Sequence, residues 1–126
     1  MKQKEIKALM VAPGEIPCEV TLKTDLESLQ KAVSIGADYQ GLIEIISLGD
    51  GCCLLCNEKG KLINLPGNRR LGDDIIAGVF YIVGENEEGE LISLSEEKIA
   101  FYEAFFHDPQ EIDADEVAAA LFFRFL

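Results

Sequence analysis

The sequence predicts an α+β domain, a mostly antiparallel sheet of about five to seven strands carrying three helices. Short runs rich in Ile, Val, Leu and Cys recur between turns built from Gly, Pro, Asp and Asn. One of them, Ile75 to Val83, is apolar on both faces, as expected of a central strand covered from each side. Three other segments, near residues 24–34, 95–108 and 113–125, place their apolar residues at helical spacing.

The elements follow in order. Ile6 to Ala12 is a strand closed by the turn dipeptide Pro13-Gly14. In the next run Ile16, Cys18, Val20 and Leu22 alternate with Pro17, Glu19, Thr21 and Lys23, which predicts a half-buried strand paired with the first, and Pro17 places it at an edge. Thr24 and Glu27 have the spacing of a capping box, so a helix should start there and run to about Ser34, with Gly36 as its stop. Leu42–Leu48, Cys52–Cys56 and Lys61–Leu65 then read as a three-stranded meander. After a loop over Pro66–Asp74 comes the central strand, in which Gly78 suggests a bulge or a close backbone contact. Leu91–Leu94 is a brief strand. Ser93 with Glu96, or Ser95 alone, caps a helix bearing Ile99, Tyr102, Phe105 and Phe106 on one side, and a last helix starts at Asp113 or Asp115.

At 126 residues the chain fits one domain, 1–126, with the helix at about 113–125 as an appended element. No apolar run approaches the roughly 20 residues of a membrane-crossing helix, and the basic start lacks the long apolar stretch of a signal peptide, so a cytoplasmic protein is expected. The four cysteines, Cys18, Cys52, Cys53 and Cys56, should then be thiols. The net charge of −12 is concentrated: residues 85–126 hold 12 acids and 2 bases, against 11 acids and 9 bases before them. Such a field repels nucleic-acid phosphate, so direct nucleic-acid binding is not expected. The acidic third is either a solvated face or a surface for a basic partner.

The order Asn57-Glu-Lys-Gly-Lys-Leu62, then Leu65-Pro66 with Asn68-Arg69, then Asp74-Ile-Ile-Ala-Gly-Val-Phe-Tyr-Ile-Val-Gly84, then Ser93-Leu94 and Tyr102 to Phe106, resembles domain-of-unknown-function family 3846. The likeness covers residues 5–107 in organisation, and the Asn-Arg turn before the Asp-Ile-x-x-Gly strand is its most specific part. The family's members look like small proteins of bacteria, phages and mobile elements. The resemblance implies that setting and no particular activity.

Asn68, Arg69 and Arg70 are the candidate ligand-binding residues, since amide and guanidinium donors in a turn suit bidentate capture of a carboxylate or phosphate. The structural alternative pairs Arg69 with Asp73 or Asp74 and turns Asn68 onto its own loop. Cys53-x-x-Cys56 has the spacing of half a zinc site, but a strand sends the two thiols to opposite faces, so no metal is assigned. His107, the single histidine, has no fixed nucleophile beside it, so no catalytic residue and no cofactor is assigned. Leu121, Phe122 and Phe125 belong to an almost wholly apolar C-terminal stretch that either docks on its own sheet or joins two copies in a homodimer.

The expectation from these residues is a non-enzymatic binding module contacting a host protein or a small anionic ligand. Two rival readings stand beside it: an acidic decoy occupying a nucleic-acid-binding protein in place of DNA, and a hydrolase or transferase built on the scattered acids.

Overall fold

A computed structural model describes residues 5–124 of the protein, and over them the α+β class holds, with eight strands and three helices. β1 (Glu5–Val11), β2 (Cys18–Lys23), β3 (Ile43–Gly49), β4 (Cys52–Asn57) and β7 (Phe80–Glu85) form one antiparallel sheet in the order β2-β1-β7-β4-β3. The short β8 (Leu91–Ile92) joins the far end of β7. β2 and β3 are its edges, as Pro17 suggested for the former.

β7 lies at the centre, and its alternation divides the core. Phe80 and Ile82 join Leu9, Val11, Leu54 and Cys56 beneath α2 (Glu96–Phe105), which contributes Ile99, Tyr102 and its cap residue Phe106. Tyr81 and Val83 face the other way, with Ile6, Ala8, Cys53 and Leu55, beneath Leu29 and Val33 of α1 (Leu26–Val33). Leu9, Leu54 and Ile82 on one side and Ala8, Leu55 and Val83 on the other have no exposed surface, so the sheet is covered on both faces.

The central run is not one strand. Gly78, at φ +83°, breaks it into β6 (Asp74–Ala77) and β7. An L-residue avoids that conformation, and a Cβ there would stand 2.8 Å from Leu65 Cδ1. The expected loop at 66–74 is instead β5 (Gly67–Leu71), turned through Gly72 into β6 as a separate two-stranded sheet. Lys61–Leu65 is no strand either. Successive turns close it, with Ile63 N–H donating to Lys59 and Leu65 N–H to Gly60, and Asn57 Oδ1 accepting from Lys59 N–H at 2.9 Å. β4 therefore finds its second neighbour in β7 and not in a third meander strand.

The helix caps were partly legible. Asp25, not Thr24, is the N-cap of α1, its Oδ2 accepting from Ser28 N–H at 3.0 Å. Ser95 caps α2 through Lys98 N–H, while Ser93 Oγ accepts from Lys7 N–H in β1. α3 (Ala114–Arg124) begins after Asp113, whose Oδ1 takes Glu116 N–H at 2.8 Å, and Val117 packs on Leu65, Ile75 and Ala77 of the small sheet's layer.

Candidate functional site

Asn68, Arg69 and Arg70 lie in β5, and the ladder explains where each side chain goes. Gly67 pairs with Ala77 and Arg69 with Ile76, so Asn68 is the extra residue of a β-bulge. In a regular strand Asn68 and Arg69 would face opposite ways, but a bulge re-aims side chains, and both turn inward with no exposed surface. Asn68 Nδ2 donates to Val11 O at 2.8 Å and to Gly78 O at 2.9 Å, tying the end of β1 to the break between β6 and β7.

Arg69 spans three segments. Its Nε donates to Phe106 O at 3.0 Å, Nη1 to Asn68 O and Oδ1, and Nη2 to Glu15 O at 2.7 Å. The alternative pairing with Asp73 or Asp74 does not form, since the bulge turns Arg69 inward and Lys61 holds Asp74. Burial lowers the Arg69 pKa, opposed by the nearby Asp108 carboxylate. Neutral carbonyls, that of Phe106 at the negative end of α2 among them, solvate the charge in place of water. The donors that were expected to face a ligand thus hold the fold together.

Arg70, half-exposed, makes the bidentate contact expected of this turn, but within the chain. Nε and Nη2 each lie 2.7 Å from a Glu116 carboxylate oxygen, and further bonds reach Gln110 Oε1 and Glu111 O. Hydrogen bonding raises the Arg70 pKa and lowers that of Glu116.

The other candidates are separated in space. Cys53 faces the α1 layer and Cys56 the α2 layer, and Cys18 is exposed on the edge strand. Burial pushes the Cys53 thiol up to about 11 and raises Cys52 as well. His107 Nδ1 sits 2.9 Å from Asp108 Oδ1 on the surface. Among the described residues no three His, Cys, Asp or Glu side chains converge as a metal site would require, and no helix is long and apolar enough to cross a membrane. Of the C-terminal trio, Leu121 is half-buried, Phe122 is 65% exposed, and Phe125 lies outside the described residues.

A feature not singled out in the sequence is the outer face of α2. Ile99, Tyr102 and Phe106 take the inner side, so Phe105, expected inside, points outward at 60% exposure beside Phe101 at 57%. The two rings stack at 6.3 Å between centroids, 17° apart in plane. Glu97 stands exposed one turn before Phe101 on the same stripe, and Lys98 at its border, 6.0 Å from the centre of the Phe101 ring, is bound to Asp50. The i, i+4 spacing of Phe101 and Phe105 was the available signal.

The family profile described as Domain of unknown function (DUF3846) matches residues 6–107. The chain belongs to that family. No curated protein and no solved structure matches it. The DUF3846 unit runs from β1 through α2, so the Arg69 clamp, with Glu15, Asn68 and Phe106, is internal to it. Among the described residues the partners of the Arg70 side chain, Gln110, Glu111 and Glu116, lie beyond the matched residues. Arg69 closes the DUF3846 unit, and Arg70 fastens the appended α3 to it.

Proposed function

We propose that this DUF3846 protein is a non-enzymatic binding module that receives a basic protein segment on the outer face of α2. The observation that carries the reading is the stacked, exposed pair Phe101–Phe105 with the exposed Glu97 one turn before it on the same face. Two large aromatic rings held in water by a helix whose opposite face is buried have the character of an interface anchor. Glu97 and the acidic charge of residues 85–126, in which the helix lies, select the sign of the partner. Lysine or arginine stems lie along the rings while their charged heads reach the acids, and guanidinium favours such ring faces.

The phage or mobile-element setting implied by the family likeness makes a host protein in the cytoplasm the natural partner. A small anion bound at Asn68–Arg70 is the weaker reading. Asn68 and Arg69 direct their donors inward, and Glu116 already occupies the guanidinium fork of Arg70.

The test replaces Phe101 and Phe105 with serine and compares the partners captured from host lysate with those of the unchanged protein. Loss of a basic partner, with the melting temperature retained, supports the reading. Equal capture by both proteins removes this face. A captured partner that DNA displaces identifies the acidic-decoy form of the same module. Enzymatic turnover without any captured partner favours the hydrolase or transferase alternative.

A further inference from the structure

The two edges of the main sheet are built differently. β2 carries Glu19 and Lys23 along a six-residue strand entered through Pro17, the devices by which edges avoid pairing with other chains. β3 is seven residues, Ile-Glu-Ile-Ile-Ser-Leu-Gly, with Glu44 as its one charge. Ile45 is 56% exposed although it sits in the middle of a regular strand, and Leu42 just before it is 57% exposed.

The ladder also fixes which backbone groups β3 leaves open. Leu42 O accepts from Glu58 N–H at 2.9 Å, and the register runs on through Ile43↔Asn57, Glu44↔Cys56, Ile45↔Leu55, Ile46↔Leu54 and Ser47↔Cys53. Opposed residues in an antiparallel pair alternate between bonded and non-bonded. Leu42, Glu44 and Ile46 therefore direct their amides toward β4, and Ile43, Ile45 and Ser47 direct theirs to the open side.

We infer that β3 pairs with β3 of a second copy of this chain, antiparallel about a two-fold axis at Ile45, making one continuous sheet through two subunits. The strand is complementary to itself in that arrangement. Ile45 bonds Ile45 of the copy, and Ile43 exchanges bonds with Ser47, so the open donors and acceptors of each strand are matched. The isoleucines at 45 meet across the axis, covering the most exposed part of each strand. Each Glu44 falls opposite Ile46 rather than the other Glu44, so the one charge on the strand does not face its like. The register irregularity between Ser47 and Gly49 ends the pairing at one side.

With a net charge of −12 on each copy, this contact forms against repulsion. Added salt therefore strengthens it, whereas salt weakens the capture of a basic segment on α2, and the two associations are distinguished by the sign of their salt response.

The experiment is sedimentation equilibrium on the full chain across a concentration series, at about 50 mM and about 500 mM salt. The expected result is a shift from 13.9 kDa toward twice that mass, at lower protein concentration in high salt. Ile45→Lys, at an exposed position, is expected to weaken the dimer at least about tenfold. Ser47→Pro removes an amide that the register directs to the open side of the sheet, and it should weaken the dimer similarly while Ile45 remains. Circular dichroism and melting temperature check that both variants fold. A protein that stays at 13.9 kDa throughout overturns the inference. A dimer that resists both variants but is lost in Phe122→Ser also overturns it, and places the contact on α3.

Discussion

The Nε–H of Arg69 donates to the carbonyl of Phe106 at 3.0 Å, so a guanidinium without exposed surface seals the C-terminal cap of α2. The same side chain reaches Glu15 in the β1–β2 turn and Asn68 beside it, so one residue joins three segments distant in sequence. Arg69→Ala strips the donors from these carbonyls and leaves a cavity. The expected cost is about 3–5 kcal/mol, from unsatisfied buried acceptors at about 1–3 kcal/mol each together with lost packing. Arg69→Lys should recover only part of it, because an ammonium does not reproduce the planar fork. Urea denaturation measures both, and a loss below about 1 kcal/mol for Arg69→Ala would show that the clamp is dispensable.

Much of the main sheet was readable because burial on two faces leaves a strong pattern. The apolar residues on both faces of 75–83 marked a strand covered from each side, and Phe80 and Ile82 do face one layer while Tyr81 and Val83 face the other. Cys53 and Cys56 likewise separate by strand parity. The candidate site was not readable in the same way. Asn68 and Arg69 turn inward together only because of a bulge, and their partners Val11 and Phe106 lie 57 and 37 positions away. No local pattern carries that information. Nor does α2 declare its phase, since Ile99-Tyr102-Phe106 and Phe101-Phe105 are both apolar stripes at helical spacing. The sheet beneath selects the first and leaves the second exposed.

Gly78 is where the chain passes from the small sheet to the large one, and Asn68 binds its carbonyl. Gly78→Ala combines a positive-φ cost of about 1–2 kcal/mol with a Cβ placed 2.8 Å from Leu65 Cδ1. Adding Leu65→Ala should remove the steric part and leave the conformational part, at the cost of a cavity. Melts of the two single variants and the double variant isolate the coupling. Purely additive losses would mean that the backbone, not Leu65, sets the need for glycine.

Burial and the raised pKa values of Cys52 and Cys53 make them poor thiolates, and Cys56 is also buried. Cys18 stands exposed on β2. With an aromatic disulfide reagent near pH 8, one thiol should react fast in the native protein and all four in denaturant. Cys18→Ser should abolish the fast phase. A second fast thiol in the native protein would contradict the packing described for β4.

The contact between Arg70 and Glu116 gives the appended helix a dependence on pH whose sign is fixed. The hydrogen bond to Arg70 lowers the Glu116 pKa below its ordinary 4.5. A group depressed on folding stabilises the folded form above its unfolded pKa, and this contribution is lost as pH falls through the lowered value. Protonation elsewhere on so acidic a chain relieves repulsion and acts the opposite way, so absolute stability is a poor readout. The difference between the unchanged protein and Arg70→Gln isolates the pair. Amide protection in α3 should be weaker in the variant at about pH 6, and the difference should shrink as the pH falls below the ordinary 4.5 of the carboxyl and Glu116 takes up its proton. A difference that persists undiminished into acid would show that Gln110 and the Glu111 carbonyl, not the Glu116 carboxylate, hold Arg70 and with it the tail.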